Sequence, residues 1–117
     1  MTSNREKGLK GELIAKSYLE SKGYKILAMN YKKKYGEIDI IALDKETLVF
    51  IEVKTRTSTS YGYAYEAVNK RKQDRIIKAS YLFIKENNYC NHQLRFDIIE
   101  VYMTEKIKVN HIENAFC

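Results

Sequence analysis

Three charged side chains interrupt two apolar segments in the middle of the chain. In GEIDIIALDKETLVFIEVKTR, residues 36–56, Asp39 lies in the first apolar run, and Glu52 and Lys54 lie in the second. Carboxylate oxygens are the ligands that Mg²⁺ prefers, and Mg²⁺ keeps several of its waters when it binds. Two carboxylates beside a lysine could therefore hold a divalent cation next to an ammonium group that reaches one of its waters.

The two segments have the pattern of a β-hairpin whose turn is DKET, residues 44–47, with a loop of two or four residues. In this hairpin the numbers of facing residues sum to 91. The register predicts the pairs Ile38–Val53, Ile40–Ile51, Ala42–Val49, Leu43–Leu48, Ile41–Phe50, Asp39–Glu52 and Glu37–Lys54. One face is then wholly apolar, and a shift by one residue would destroy this sorting.

Asp39 opposite Glu52 needs a reason, because like charges that face each other destabilise a sheet. One interpretation is that the strand ends emerge into water, with Glu37 and Lys54 as a surface ion pair worth about 0–1 kcal/mol. The other is a divalent cation held between Asp39 and Glu52. The pattern alone leaves both open, since structural ion pairs also concentrate charges.

The surrounding segments predict the elements that position these side chains. Ser3 and Glu6 form a capping box, and Asn69 is a favourable N-cap. In chain order we expect a helix from Ser3 to near Lys22 that stops at Gly23, a strand at 24–31, the hairpin, a short helical piece at 64–68, a helix from Asn69 to about Asn87, and one or two strands within 94–116. This order predicts one α/β domain, residues 1–117, with a central mixed sheet flanked by helices.

Two polar residues lie on or beside the apolar faces of the predicted helices. Glu12 lies at the edge of the first apolar face, where it could reach a cleft or be an ordinary boundary glutamate. Gln73 lies near the centre of the second apolar stripe. Because a buried glutamine needs hydrogen-bond partners, Gln73 either ties down a backbone group or orients Lys54 or a metal-bound water.

Charge is distributed in blocks: the net charge is +6 over residues 1–35, −3 over 36–68, +4 over 69–88 and −1 over 89–117. The basic residues that could hold phosphates are Lys32, Lys33, Lys34, Arg56, Lys70, Arg71, Lys72 and Arg75. Tyr61, Tyr63 and Tyr65 could stack on unpaired bases. Nucleic acid is the partner that this pattern suggests, and a solvated lysine-rich surface is the alternative.

Other features narrow the class of protein. No run approaches the roughly 18 to 20 apolar residues of a membrane span, so we expect a soluble cytoplasmic protein without a membrane partner. Cys90 and Cys117 lack metal-ligand spacing and are expected to be free thiols. His92 and His111 have no partner pattern and are expected to be structural or exposed.

Six segments together resemble the YraN-like family of bacterial proteins, over nearly the whole chain: GLKGELIAKSYL, GEIDIIA, VFIEVKTR, EAVNKRKQ, RFDII and HIENAF. That family is placed in the restriction-endonuclease-like, or PD-(D/E)XK, superfamily and is similar to archaeal Holliday junction resolvases. The resemblance implies a three-layer fold with a mixed sheet between helices. The PD pair itself is absent, since Glu37 and Ile38 precede Asp39.

The resemblance also implies roles for particular residues. Asp39 matches the first acid of the superfamily, Glu52 and Lys54 match the ExK element, Glu12 matches the acid of the first helix, and Gln73 resembles a glutamine that some members carry after ExK. The implied activity is hydrolysis of phosphodiester bonds in DNA, including branched or structured DNA, or in RNA, with DNA favoured. Mg²⁺ or Mn²⁺ would be held by Asp39, Glu52 and Glu12, and the resolvases imply a homodimer.

Two other functional classes stay open. One is a non-cutting nucleic-acid-binding protein that keeps the nuclease fold as a subunit of a repair or processing complex. The other, a protein-interaction module, is the hardest to reconcile with the acid, acid and lysine set.

Overall fold

A computed structural model describes residues 4–57 and 68–116. Its elements, in chain order, are α1 (Asn4–Ser21), β1 (Lys25–Lys33), β2 (Gly36–Asp44), β3 (Thr47–Arg56), α2 (Lys70–Asn87), β4 (Gln93–Met103) and β5 (Ile107–Ile112). No helix within these ranges is long and apolar enough to cross a membrane. The predictions for Ser3, residues 64–67 of the short helical piece, the three tyrosines at 61–65 and Cys117 fall outside the described residues.

The five strands form one sheet in the order β1-β2-β3-β4-β5. The first three strands are antiparallel, β4 is parallel to β3, and β5 is antiparallel to β4. A parallel neighbour requires a crossover, and α2 lies in the chain segment between β3 and β4. The predicted α/β class with a mixed central sheet is confirmed.

Helix α1 covers one face of the sheet. Its Ala15 and Leu19 are fully buried with Ile40 and Ile51. At Gly11 the helix backbone comes so close to β3 that an added Cβ would lie 2.1 Å from Thr55 Oγ1. This close approach places the neighbouring Glu12 beside the strands that carry the charged residues.

Helix α2 covers the opposite face and completes the third layer. Ile76 and Phe83 pack with Phe50 and Phe96 of the sheet. The predicted cap is confirmed, because the Asn69 side chain accepts a 2.9 Å hydrogen bond from the Lys72 backbone N–H. The helix ends at Asn87, as the sequence predicts.

The hairpin register is confirmed over the half nearest the turn. The turn has two residues, Lys45 and Glu46, and the observed pairs are Asp44–Thr47, Leu43–Leu48, Ala42–Val49, Ile41–Phe50 and Ile40–Ile51. Beyond Ile40–Ile51 no further pair joins β2 to β3. The two strands therefore separate just before Asp39 and Glu52.

At the point where β2 leaves β3, β1 and β2 rotate so that their side chains change faces of the sheet. The paired residues Met29 and Ile40 pack on the α1 side of the sheet. The next pair on the same face of a regular ladder, Tyr31 and Ile38, packs on the α2 side instead. Asn30 lies between them with φ 53°, a left-handed conformation that asparagine tolerates. The prediction that Ile38 faces Val53 on one apolar face is therefore wrong, because the strands rotate at this point.

Candidate functional site

The acidic pair lies where β2 and β3 separate. Asp39 Oδ2 accepts a 2.8 Å hydrogen bond from the Val53 backbone N–H, so the carboxylate takes the place of a missing strand partner. The Asp39 carboxyl group also interacts with the Glu52 side chain, which is 5% exposed. Asp39 and Glu52 therefore lie close together although β2 and β3 no longer pair here. The Asp39 side chain spans the space between the two strands.

The two carboxylates repel each other in a poorly solvated site. Burial raises the pKa of Asp39, and the neighbouring Glu52 raises it further, to about 8, although the hydrogen bond from Val53 partly offsets both. Close carboxylates cannot both ionise easily unless positive charge is supplied between them. The pair therefore requires positive charge nearby.

Two lysines supply positive charge to the same carboxylate. Lys54 Nζ lies 3.6 Å from Glu52 Oε1, and Lys72 Nζ lies 2.5 Å from the same oxygen. Burial lowers the pKa of Lys54, and the adjacent Lys72 ammonium lowers it further. Burial also opposes the charge of Lys72, but its hydrogen bond to Glu52 raises the pKa of Lys72 overall.

The contact between Lys72 and Glu52 was not predicted from the sequence. Lys72 was predicted only as a phosphate-binding residue. The signal was present in the helical period. Lys72 lies four residues before Ile76 on the stripe that continues through Ala79 and Phe83, all of which are buried. A lysine at the open end of a buried stripe points its ammonium group toward the sheet.

Glu12 approaches this site from α1. Its Oε1 is buried without a hydrogen-bond partner. Burial raises the pKa of Glu12, a hydrogen bond with Asn30 lowers it, and repulsion from Glu37 and Glu52 raises it again. The net shift is upward, so Glu12 adds a third carboxyl group that lacks full compensation.

The carboxylates at this site could bind a divalent cation through two direct ligands rather than three. Within residues 4–57 and 68–116, no three side chains of the His, Cys, Asp or Glu types lie close enough to hold a metal ion as a group. Mg²⁺ commonly uses one or two carboxylates and keeps its waters. Asp39 and Glu52 would suffice as direct ligands, and the unpartnered Glu12 oxygen is suited to a water-mediated contact.

Gln73 and Arg56 have partners of their own. Gln73 Nε2 donates a 2.8 Å hydrogen bond to the Val68 carbonyl, so this side chain ties down the backbone before α2. Arg56 Nε lies 3.4 Å from Oε2 of Glu100 on β4. Glu100 is 2% exposed and also accepts a hydrogen bond from Asn110. The sequence reasoning missed Glu100, although a glutamate inside the apolar run FDIIEVY was a signal for it.

The predicted basic residues divide into two groups. Lys32, Arg71 and Arg75 line a groove of about 530 Å³ that also includes Lys72 and Glu37 and lies between the β1–β2 turn and the start of α2. Inside the described ranges no ion pair engages Lys32 or Arg71.

The remaining basic residues have local partners. Lys33, which also lines the groove, pairs with Glu86 at 3.2 Å, and Lys70 pairs with Asp74 at 3.3 Å. Lys34 Nζ lies 5.7 Å from the centre of the Tyr35 ring.

These features define a three-layer α/β protein in which the buried Glu52 and the half-buried Asp39 lie beside two lysines and a basic groove at one end of the sheet. A model of the uncharacterised protein family UPF0102 matches residues 11–101. The chain is 55% identical over 113 residues to a UPF0102 protein of Caldanaerobacter subterraneus subsp. tengcongensis, covering 93% of each chain. It is 49% identical over 114 residues to a UPF0102 protein of Clostridioides difficile, covering 97% of this chain and 99% of the relative. The chain therefore belongs to the UPF0102 family, and its resemblance to the YraN-like proteins is confirmed.

Proposed function

We propose that this UPF0102 protein is a divalent-metal-dependent nuclease of the restriction-endonuclease-like type. The observation that carries the proposal is the junction of Asp39, Glu52 and Lys54 at the point where β2 and β3 separate. The groove that contains Lys32, Arg71 and Arg75 opens beside the same residues. A polyanion held in that groove would have its backbone next to the acid pair.

The chain's own residues would divide the work of hydrolysis. Asp39 and Glu52 would hold Mg²⁺ or Mn²⁺, which supplies Lewis-acid polarisation of water and of a phosphoryl oxygen. Lys54 would orient the attacking water or stabilise the negative charge that develops on the phosphoryl group. Lys32, Arg71 and Arg75 would neutralise neighbouring phosphates, and Gln73 would hold the chain at the start of α2 in place.

A non-cutting nucleic-acid-binding protein is the second candidate, and one observation favours it. Lys72 Nζ already lies 2.5 Å from Glu52, where it can neutralise the acid pair without a metal ion. In that case the pair and its lysines would stabilise the groove, and the groove would bind nucleic acid as part of a larger complex.

A cleavage assay separates the two candidates. Flaps, four-way junctions, linear duplexes, single strands and RNA are incubated with Mg²⁺, Mn²⁺ or a chelator. We expect metal-dependent cleavage that Asp39→Asn abolishes and that Glu46→Gln, an exposed turn control, leaves intact. Binding of every substrate without cleavage by the wild type would refute the nuclease and favour the binding protein.

Lys54→Ala sharpens the same test. A lysine that acts on the water or on the transition state should affect the rate while binding is mostly kept. We expect a loss of about 10²–10³ in single-turnover rate, similar to the loss of one preorganised electrostatic donor. Arg71→Ala should show the opposite pattern, with weaker binding and a nearly unchanged rate at saturation. A reversal of these two patterns would remove Lys54 from the chemistry.

A further inference from the structure

The outer face of α2 carries a row of cations that extends away from the acid pair. The cations Arg71, Arg75, Lys78 and Lys85 lie on one face of the helix, with Leu82 between the last two, because successive members of this series are three or four residues apart. At about 1.5 Å per residue the row is roughly 21 Å long. The two acidic residues of α2, Asp74 and Glu86, pair with Lys70 and Lys33. The positive charge of the row is therefore largely uncompensated by its own helix.

Two tyrosines are exposed beside this row. Tyr35 is 53% exposed and Tyr81 is 61% exposed. Together with Lys78, Leu82 and Lys85 they line a shallow, mostly apolar pocket of about 380 Å³. Exposed aromatic residues that share one pocket are a common mark of a binding surface.

Tyr35 is held firmly against α2. Gly36 packs so closely that an added Cβ would lie 2.5 Å from the Arg75 carbonyl oxygen. Arg75 Nε donates a 3.1 Å hydrogen bond to the Tyr35 carbonyl oxygen. Because these contacts fix the turn to the helix, the backbone that carries the Tyr35 ring needs little reorganisation when a ligand binds.

The pocket continues the basic groove. Gly36 and Arg75 line the groove, and the adjoining Tyr35 lines the pocket. One path therefore leads from Lys72, which contacts Glu52, along the helix to Lys85. Its chemistry changes along the way from cations alone to cations that flank aromatic rings.

We propose that this face of α2 binds a single-stranded nucleic acid, with phosphates on the row of cations and bases stacked on Tyr35 and Tyr81. Aromatic faces between cations match bases joined by phosphates, which is the combination that single-strand-binding surfaces use. A second copy of this chain that bound through the same face would place like charges opposite each other, so nucleic acid is the better partner. The inference rests on the proposed function, and it specifies the substrate as a single strand or a single-stranded branch.

Binding is measured by the fluorescence anisotropy of a labelled oligothymidylate, in chelator and at one salt concentration, so that no cleavage is needed. A strand of the same length with abasic sugars serves as the second probe. Tyr35→Ala and Tyr81→Ala are compared with Tyr35→Phe and Tyr81→Phe. Leu13→Ala, an exposed apolar residue on α1 in the opposite layer, is the control.

We expect each alanine variant to bind oligothymidylate about five- to 150-fold more weakly, the range for one stacked base. The phenylalanine variants should keep their affinity, and all proteins should bind the abasic strand equally. Equal losses on both strands, or no binding by the wild type, would overturn the inference. A change in sedimentation mass of the alanine variants would instead show that the patch joins copies of this chain.

Cleavage by the wild type together with tyrosine-independent binding would refute this inference and leave the proposed nuclease function supported.

Discussion

The protein has two clusters of charged side chains in its interior, one where β2 and β3 separate and one around Asp97 on β4. The cluster of Asp39, Glu52 and Glu12 has an excess of carboxyl groups and a buried oxygen without a partner. The other cluster surrounds Asp97, which is fully buried on the α1 side of β4. The two clusters use similar residues, but they differ in how completely the chain satisfies them.

The chain itself supplies the partners of Asp97. Arg95 Nε lies 3.0 Å from Asp97 Oδ1, His111 Nε2 lies 2.7 Å from Oδ2, and the Asn114 backbone N–H donates to Oδ1 at 3.1 Å. Arg95 is in turn bound by Asp44 at 3.0 Å and by the Tyr24 hydroxyl. A carboxylate this well compensated needs no ligand. A buried charged residue therefore indicates a candidate site only where the chain does not supply all of its partners.

The largest expected effect follows from breaking the compensated cluster. Asp97→Ala leaves the Arg95 guanidinium buried without its main partner, and removal of one member of a buried pair commonly costs about 3–5 kcal/mol. Asp39→Asn should cost much less, because it relieves the repulsion with Glu52. Both free energies of unfolding are measured by urea denaturation in chelator. A cost for Asp39→Asn that equals the cost for Asp97→Ala would contradict the comparison.

The sequence predicted the acid pair but not the geometry that brings it together. Alternating apolar residues gave the register as far as Ile40 and Ile51, and the Asn69 cap gave the start of α2. The rotation of β1 and β2 at Asn30 and Asp39 was not predicted, because apolar residues continue on both sides of these positions and the strand pattern does not show which face they take. The polar pairs from distant segments, such as Lys72 with Glu52, depend on tertiary packing that local periodicity does not encode.

A second prediction tests whether Lys72 satisfies the acid pair in the metal-free protein. Lys72→Met keeps the length of the side chain and removes its charge, so Glu52 loses the ammonium that lies 2.5 Å away. Because this lysine is partly exposed, the pair is expected to be weak, and Mg²⁺ affinity should rise only about three- to tenfold. Calorimetric titration measures the change, and Lys70→Met, which removes an exposed lysine paired with Asp74, is the control. Weaker Mg²⁺ binding by Lys72→Met would show that Lys72 supports the cation rather than replaces it.

The last prediction concerns the pH dependence of the compensated cluster. Burial favours the neutral form of Asp97, but hydrogen bonds from His111, Arg95 and Asn114 outweigh it and lower the pKa of Asp97 in the folded protein. A depressed pKa means that the folded state binds this proton less tightly than the unfolded state, whose aspartate pKa is about 3.9. The stabilisation is therefore present above about pH 4 and is lost as the pH falls through the folded value. Asp97→Asn should show a flatter decline of unfolding free energy below about pH 4 than the wild type. Glu46→Gln, in the exposed turn, should follow the wild-type curve. Identical slopes for all three proteins would mean that the partners of Asp97 do not favour its charged form, and the distinction between the two clusters would then lose its electrostatic basis.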